Sequence, residues 1–352
     1  MCLRKAGPLN LRAESMMLRE TKGAPAAVRD LLATSAAAID ALANEFRAAS
    51  IRAVVTVARG SSDHAASHFA YALLTRMGLL VTSLPPSAIT LYDAPIDTTG
   101  VAAISFSQSG QSPDLVATMQ ALTRRGALTA AFVNDVTSPL AHSVGYAIDL
   151  AAGREESIAA TKSFISQLVA GMRLVAAWSR DDPLLDAITQ LPDTLERAVG
   201  TDWSAAIAPL VDADRMFVIA RGPSLAIAAE MALKFKEVCG IQAEAFSAAE
   251  VKHGPMALID SGYPLLVLAP RGPGQTEVLA FADAMRKQGA RMLLAAADGH
   301  ASAQMQIRVG THEALDGLCA VQSFYVMVEA LARARKLDPD HPPRLSKVTR
   351  TQ

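Results

Sequence analysis

The sequence predicts an α/β protein with two tandem domains, each a parallel sheet flanked by helices in a three-layer α/β/α arrangement. Short apolar runs rich in β-branched residues alternate with helical patterns, which favours parallel sheets covered on both faces. The same succession of patterns occurs twice along the chain. The 352 residues are enough for two domains of ordinary size.

Composition limits the classes of function. The chain is 51% hydrophobic and 19% charged with a net charge of −1, which excludes a disordered chain and gives no electrostatic footprint for nucleic acid. The chain has three cysteines, Cys2, Cys239 and Cys319. They are too widely spaced to bind a metal in pairs, and so few cysteines are typical of a reduced intracellular protein. There is no signal-peptide pattern, and no apolar run approaches the roughly 20 residues that span a bilayer. We therefore expect a cytoplasmic protein with no membrane or nucleic-acid partner.

The first half of the chain alternates helices with strands after a weakly structured start that extends to about residue 20. Apolar residues recur at three- and four-residue steps from Pro25 to Ala49, which predicts the first helix. Further helices are predicted from the turn Arg59–Asp63 to Met77, from near Pro113 to Arg125, and over 155–178. Strands are predicted from β-branched and apolar content at 53–58, 79–83, 100–106, 128–133 and 144–150.

The second half repeats the first, which indicates an internal duplication. After Arg180 charged residues and prolines become more frequent, as in a connecting segment with a helix or two. Met216–Ser224 then echoes Val54–Ser62, and Arg286–Ala290 echoes Thr123–Ala127 at nearly the same interval. The predicted parts are an N-terminal segment with its helix at 1–44, a first domain at 45–184, a linker at 185–206 and a second domain at 207–352.

The stretch Ser105–Asp114 stands between a buried strand and a helix start. Its serine hydroxyls, amide groups and backbone N–H groups are potential donors to an anion, and Pro113 suits the first helical turn. The residues alone leave an anion site and an ordinary N-capped turn equally open. The second copy has Arg271-Gly272-Pro273 there and lacks the hydroxyls, so the first copy is predicted to hold the ligand. The turn Ser61-Ser62 follows another strand of the same sheet, so both turns could face one ligand.

The second half contains four candidate residues for chemistry on a ligand. Lys234 and Glu237 are three apart and share a helix face, so Glu237 could act as a base, although a surface ion pair is the commoner interpretation. His253 precedes Gly-Pro at an element end and could shuttle protons, although a lone histidine is more often structural. Lys347 by pattern alone is a solvated tail lysine.

The pattern predicts no metal site. His64 and His68 lie one helical turn apart, and Glu250 lies near His253, but neither pair has a further ligand at supporting spacing. The histidine pair is therefore interpreted as the polar face of a helix. Cys2 follows the initiator methionine, as an amidotransferase nucleophile would, but a helix and the first α/β domain follow too soon for a glutaminase domain. Cys2 is interpreted as incidental.

Several motifs together resemble one family. The two-copy arrangement and Ser107-Gln108-Ser109-Gly110 resemble sugar isomerase (SIS) domains. From about residue 45 onward the chain is similar to the isomerase half of glucosamine-6-phosphate synthases, also called glutamine–fructose-6-phosphate aminotransferases. The segments that carry this similarity are Glu156–Phe164, Glu244–Asp260 and the tail Leu345-Ser346-Lys347.

The resemblance implies a role for specific residues. Those expected to bind the sugar phosphate are Ser61, Ser62, Ser107, Gln108, Ser109 and Ser112, with backbone contacts from Ile158 and Ser346. Glu237 would move a proton between C1 and C2, and His253, supplied in the family by the neighbouring subunit, would assist ring opening. Lys347 would form or assist the Schiff base with the open-chain ketose, and Lys234 would lie beside it. These implied roles replace the common interpretations of His253 and Lys347.

Two departures from the synthases shape the expected reaction. No glutaminase domain is recognised, and Arg59-Gly60-Ser61-Ser62 stands where the synthases usually have Cys-Gly-Thr-Ser. Stand-alone chains of this kind resemble SIS-type glucosamine-6-phosphate deaminases and related deglycases. The expected function is a homodimeric enzyme that converts glucosamine 6-phosphate and water to fructose 6-phosphate and ammonia, without metal or organic cofactor. Alternatives are an enzyme for galactosamine 6-phosphate or a fructosamine 6-phosphate, or a non-catalytic sugar-phosphate sensor.

Overall fold

A computed structural model describes residues 14–347 and shows two parallel sheets of five strands each. The strands are β1 Ala53–Val57, β2 Leu80–Ser83, β3 Val101–Ser107, β4 Leu128–Val133, β5 Tyr146–Asp149, β6 Arg215–Ala220, β7 Gln242–Ser247, β8 Pro264–Ala269, β9 Arg291–Ala297 and β10 Met305–Ile307. The α-helices are α1 Met16–Ala48, α2 Ser61–Met77, α3 Pro86–Thr90, α4 Pro113–Arg124, α5 Lys162–Ser179, α6 Asp182–Val199, α7 Ile207–Leu210, α8 Ser224–Cys239, α9 Gln275–Lys287 and α10 Asp316–Ala334. Short 3-10 turns lie at Ala141–Ser143, Ser204–Ala206, Glu250–Lys252, Pro255–Leu258 and Glu313–Leu315. The predicted α/β class is confirmed.

The strand order creates one crevice in each sheet. The orders are β2-β1-β3-β4-β5 and β10-β9-β8-β6-β7. From β1 the chain passes through α2 to one edge, whereas from β3 it passes through α4 toward the other, so the direction reverses between β1 and β3. The same reversal occurs between β6 and β8. Ligands of open α/β sheets bind at such points, outside the carboxyl ends of the strands.

The core is formed by central strands and central helices. Strand β8 is buried along its whole length, as expected for a parallel strand covered on both faces. The region Glu313–Ala334, which includes α10, is long and apolar enough to span a membrane by length and composition. However, 78% of the residues in its most apolar window are buried inside the protein. A helix that is buried to this extent belongs to the core of the fold.

Helix α1 begins earlier than the sequence predicted. It starts at Met16, where Ser15 accepts a hydrogen bond from the amide of Leu18, so residues 16–20 are helical rather than weakly structured. Pro25 lies inside the helix instead of at its start. A proline has no N–H for the carbonyl of Thr21, but the Gln322 side-chain amide donates to that carbonyl at 2.9 Å. Helix α10 thus supplies the donor that the proline lacks.

Helix α5 begins later than predicted, at Lys162 rather than near residue 155. The Glu155 carboxylate accepts hydrogen bonds from the amides of Thr161 and Ser163, which are at the helix start. Residues 155–161 therefore form a non-helical segment held by a buried carboxylate. This segment reaches the crevice of the first sheet.

The connecting segment contains α6, which packs against α1, α5 and α10. Its apolar face, with Leu184, Ile188 and Leu195, is fully buried in the same core as both sheets' inner helices. The predicted helix in this segment is confirmed. The domain boundaries given above stay a prediction.

Candidate active site

A cavity of about 310 Å³ lies at the carboxyl ends of β1 and β3, in the crevice of the first sheet. It is lined by every predicted site residue except His253. The lining comprises Arg59, Gly60, Ser61, Ser62, Phe106, Ser107, Gln108, Ser109, Ser112, Leu115, Ile158, Ala160, Lys234, Glu237, Leu345, Ser346 and Lys347. The expectation that both serine turns face one space is confirmed.

Two serine hydroxyls on this wall accept hydrogen bonds from backbone amides. The oxygen of Ser107 accepts a hydrogen bond from the amide of Gly110 at 3.0 Å, and that of Ser109 from the amide of Gln111 at 3.2 Å. Because each oxygen serves as an acceptor, its own hydrogen remains available for a phosphoryl oxygen. The turn needs glycine at Gly110, where φ is +61° and a Cβ would stand 2.1 Å from the Ser138 hydroxyl oxygen.

Two helices start at this cavity. Gly60 and Ser112 are the N-cap residues of α2 and α4, and neither helix has a side-chain capping hydrogen bond. In α4 the amide of Leu115 donates to the Asp114 side chain at 2.9 Å, whereas neither N-cap residue supplies an acceptor, so an anion can take the remaining N–H groups at the helix starts. The alternative of an ordinary serine-capped turn is wrong at Ser112, because its side chain does not cap.

Lys234 is buried in the cavity wall rather than exposed on the surface. Its ammonium donates to Glu237 at 2.5 Å and to the Ser61 hydroxyl oxygen at 2.9 Å, and it lies 3.2 Å from Glu230. Burial lowers the pKa of Lys234, but the adjacent carboxylates outweigh that effect and raise it well above its usual value. The interpretation of Lys234 and Glu237 as a surface ion pair is therefore wrong.

Glu230 lies behind Lys234 and was missed in the sequence. It is fully buried, and its carboxylate faces His64 at 3.0 Å and the hydroxyl of Tyr325 at 3.0 Å. Burial raises the pKa of Glu230, but Lys234 and the hydrogen bonds from His64 and Tyr325 bring it below its usual value. Its position one helical turn before Lys234 was the only available sequence signal.

Lys347 is held against a second buried carboxylate that was also missed. Its ammonium donates to Glu155 at 3.1 Å and to the carbonyl oxygen of Ser157 at 2.7 Å. Burial raises the pKa of Glu155, but Lys347 and the hydrogen bonds from Ser163 and Thr161 lower it below its usual value. The solvated tail lysine suggested by pattern alone is wrong, because the Lys347 side chain is only 24% exposed.

The tail and the segment before α5 meet over the cavity. The amide of Ile158 donates to the carbonyl oxygen of Asp340 at 3.5 Å, which joins the two segments. Ser346 lies beside Lys347 in the cavity lining. Arg59 adds a cation that the resemblance did not assign, and its guanidinium donates to buried Asp114 at 2.9 and 3.1 Å.

His253 stands apart from this cavity. It follows the 3-10 turn Glu250–Lys252 and is exposed, which confirms its predicted place at the end of an element. His64 faces Glu230, but His68 is buried, so the interpretation of both as one polar helix face is wrong for His68. Within residues 14–347, no cluster of three or more metal-ligating side chains is present. Cys2 lies outside the described residues.

Comparison with known proteins identifies the fold family. The family model for the SIS domain matches residues 49–177 and again 209–333. A solved protein from Silicibacter pomeroyi DSS-3, provisionally named a phosphosugar isomerase, is 39% identical with a TM-score of 0.88, over 93% of this chain and all of that one. The glucosamine-6-phosphate deaminase of Thermotoga maritima shares the fold, with a TM-score of 0.77 at 19% identity over 96% of this chain and 100% of that one.

Curated relatives are longer than this chain. The glutamine–fructose-6-phosphate aminotransferase (isomerizing) of Methanothermobacter thermautotrophicus is 31% identical over 347 residues, which are 95% of this chain. That of Symbiobacterium thermophilum is 30% identical over 94% of this chain. The chain spans 57% and 58% of the lengths of these two relatives.

Proposed function

The chain belongs to the SIS-domain family, and from that premise we propose that it is a phosphosugar isomerase that deaminates an amino sugar 6-phosphate. The observation that carries the proposal is the first cavity, where neutral hydroxyl donors face two lysine–carboxylate pairs. The proposed reaction converts glucosamine 6-phosphate and water to fructose 6-phosphate and ammonia. The relatives named above are the reason for choosing a 6-phosphosugar.

The phosphoryl group is proposed to bind between the starts of α2 and α4. The hydroxyls of Ser62, Ser107, Ser109 and Ser112 and the side-chain amide of Gln108 would donate to its oxygens. Neutral donors and helix N-termini hold a phosphoryl group without the strong field of several fixed cations. The sugar then extends toward Ile158 and Ser346, which line the same cavity.

Lys347 is proposed to attack C2 of the imine that forms when the open-chain amino sugar isomerises. An ammonium must lose a proton before it can attack a carbonyl, and the nearest base is the Glu155 carboxylate at 3.1 Å. Once the nitrogen has added, loss of ammonia gives the lysine Schiff base, and its hydrolysis releases fructose 6-phosphate and restores the free amine. Glu155 thus holds Lys347 in place and accepts its proton.

Glu237 is proposed to carry the proton between C2 and C1. It is only partly buried, so it can reach a bound sugar while Lys234 holds its carboxylate at 2.5 Å. Lys234 is an ammonium at neutral pH because its pKa is raised, so it stabilises negative charge rather than acting as a nucleophile. Moving this proton gives the C2 imine that Lys347 attacks, and overall one water is consumed and one ammonia is released.

The test is ammonia release by the purified protein from glucosamine, galactosamine and mannosamine 6-phosphates. We expect turnover with at least one of them, and a loss of about a hundredfold or more in kcat for Glu237→Gln and Lys347→Ala. Lys236→Met, an exposed neighbour on α8, is the control and should retain activity. Full activity in both active-site variants would refute the roles. Binding without turnover of any amino sugar phosphate would favour a sensor.

Arg59 favours a second candidate, a deglycase for a fructosamine 6-phosphate that carries a carboxylate. Half of the Arg59 side chain is exposed at the cavity, and only its Nε and one terminal nitrogen are engaged by Asp114. A guanidinium there can pair with a substrate carboxylate. We expect Arg59→Ala to weaken turnover of a carboxylated fructosamine 6-phosphate much more than that of glucosamine 6-phosphate. Equal effects on both would remove this candidate.

The active protein is proposed to be a cytoplasmic homodimer in which His253 of one subunit assists ring opening in the other. The support is that His253 is exposed and outside the cavity lining of its own chain, while the family resemblance gives it a role at a shared site. Size-exclusion chromatography with light scattering tests the dimer directly. A monomer with full activity would overturn it.

A further inference from the structure

The second sheet has a crevice of its own, and it holds a cavity of about 590 Å³. The cavity lies at the carboxyl ends of β6 and β8, where the direction of the strand order reverses. Position in the fold alone therefore makes it the counterpart of the first cavity. Its volume exceeds the roughly 310 Å³ of the first.

The two cavities are built in the same way. Helices α8 and α9 start at the second cavity, and neither has a side-chain capping hydrogen bond. The turns before them contain Gly222 and Gly272, whose φ values of +63° and +127° require glycine. Arg221 is the counterpart of Arg59, and Arg271 stands where the first cavity has its second serine turn.

The duplication also explains what the second cavity lacks. Ser62 and Ser224 occupy the same place in the repeated turn, and Lys234 and Glu237 lie ten and thirteen residues after Ser224. The residues ten and thirteen after Ser62 are Ala72 and Thr75, and both line the second cavity. Helix α2 thus faces the second cavity as α8 faces the first, but without the lysine and the carboxylate.

One wall of the second cavity holds a polar atom without a partner. His68 lines the cavity and is 97% buried, since its relative exposure is 3%. Within residues 14–347, its Nδ1 has no hydrogen-bond partner. A buried polar atom normally has a partner, so the wall of this cavity contains an unmet hydrogen-bonding requirement.

The charges of the lining favour a single anionic group. Arg221 pairs with Glu277 at 2.9 Å, and both side chains are about 40% exposed, so this contact can exchange for a ligand. Arg271 is held more firmly by fully buried Asp316 at 2.7 Å. Glu277 and Glu313 line the same cavity, and their negative charges oppose a polyanion.

We propose that this second cavity binds a phosphorylated small molecule without transforming it. The phosphoryl group would lie between the starts of α8 and α9 beside Arg221, and the rest of the molecule would extend toward His68 and the partly exposed ring of Tyr71. Without counterparts of Lys234 and Glu237, no pair moves a proton there. Because α2 and α8 contribute to both cavities, a ligand in one contacts elements that form the other.

The test counts ligand equivalents per chain by isothermal titration calorimetry with fructose 6-phosphate, adenosine 5′-diphosphate and inorganic phosphate. Thr75→Trp fills the second cavity, and Leu74→Trp places the same ring on the same helix outside the cavity lining. Ser109→Ala weakens the first cavity only. Thermal unfolding of each variant confirms that it is folded.

We expect one bound ligand equivalent that is unchanged in Ser109→Ala and Leu74→Trp. It should be absent in Thr75→Trp, and its affinity should fall about tenfold in Arg221→Ala. If fructose 6-phosphate supplies it, the ligand is a sugar phosphate, and if only the diphosphate does, it is a nucleotide. The proposal is overturned if all ligand binding is weakened by Ser109→Ala and none is lost in Thr75→Trp. It is also overturned if no probe gives a second equivalent at millimolar concentration.

Discussion

At the scale of single residues, Lys234 joins two carboxylates that would otherwise repel each other. We predict that Lys234→Met lowers the free energy of unfolding by about 3–5 kcal/mol, because buried Glu230 loses its counter-charge. Adding Glu230→Gln should restore part of that loss, since the uncompensated charge is then removed. Urea unfolding at neutral pH measures both effects.

The matched control for this prediction is Lys236→Met. Lys236 is exposed on the same helix, so its loss should change the free energy of unfolding by less than about 0.5 kcal/mol. If the double variant loses as much free energy of unfolding as Lys234→Met alone, the explanation is contradicted, because the destabilisation then does not come from Glu230.

His68 is predicted to make stability depend on pH. Burial lowers its pKa from 6.5 to about 4, so between these values the unfolded chain binds a proton that the folded chain does not. Stability is therefore complete above about pH 6.5 and declines as the pH falls toward 4, by about 3 kcal/mol for this one group. In His68→Gln this part of the decline should be absent from urea unfolding measured between pH 7 and 4.5.

The comparison with His68→Gln is needed because other groups titrate nearby. Burial raises the pKa of Glu20 and Asp316, which acts in the opposite direction above their usual pKa values of 4.5 and 3.8. The lowered pKa values of Glu155 and Glu230 withdraw stability only below about 4.5. Exposed His341→Gln is the control and should keep the wild-type slope. An unchanged slope in His68→Gln would contradict the prediction.

At the scale of elements, α1 depends on α10 for one of its hydrogen bonds. Pro25 leaves the carbonyl of Thr21 without a helical donor, and Gln322 supplies one at 2.9 Å. We predict that Gln322→Met costs about 1–3 kcal/mol, because that buried carbonyl is left unpaired. In a Pro25→Ala background the restored N–H should reduce this cost, and a double-mutant cycle of urea unfolding measures the difference.

Ser323→Ala is the matched control for the cycle. The Ser323 hydroxyl donates to the carbonyl of Ala198, so the substitution removes a hydrogen bond of α10 that does not involve α1. Its cost should be the same in the wild-type chain and in the Pro25→Ala background. If the cost of Gln322→Met is also unaffected by Pro25→Ala, then Gln322 does not compensate for the proline.

The elements show which parts of the fold local sequence can predict. The central strands were predicted within one or two residues because continuous apolar runs bounded by turns have few alternative structures. The predicted start of α1 was wrong because Gln322, about 300 positions away, supplies the hydrogen-bond donor that Pro25 lacks. The predicted start of α5 was wrong because the Glu155 side chain accepts hydrogen bonds from amides that an earlier helix start would have used.

The same reason limits prediction of the site. The serine turns follow directly from strand, turn and helix patterns, and the resemblance supplied roles for Glu237 and Lys347. Glu155, Glu230 and Arg59 were missed, because a carboxylate or guanidinium gains its role from a partner brought near by folding. Lys347, for example, contacts Glu155 across 192 positions of sequence.

At the scale of the whole molecule, duplication has given two crevices that are lined by different functional side chains. The first has the serine turn at 107–112 and two lysine–carboxylate pairs, and the second has Arg271 in place of that turn and Ala72 and Thr75 where Lys234 and Glu237 would stand. Helices α2 and α8 pack against each other and each contributes to both cavities. The two halves therefore form one structural unit around a shared helix pair.

The assembly is the last prediction, and mixing two inactive variants tests it. In the proposed homodimer, a site uses Lys347 of one subunit and the partner's His253. Lys347→Ala and His253→Ala should each be inactive or nearly so. Refolding or coexpressing them in equal amounts should give about a quarter of wild-type activity, because half of the dimers are mixed and each has one intact site.

This quarter of the activity discriminates between the two arrangements. If each site used His253 of its own chain, every site in the mixture would carry one lesion and no activity would return. A mixture of Lys347→Ala with Glu237→Gln is the control, because both residues line the same cavity of one chain. It should remain inactive under either arrangement, so recovery limited to the His253→Ala mixture identifies the histidine as the residue supplied by the partner.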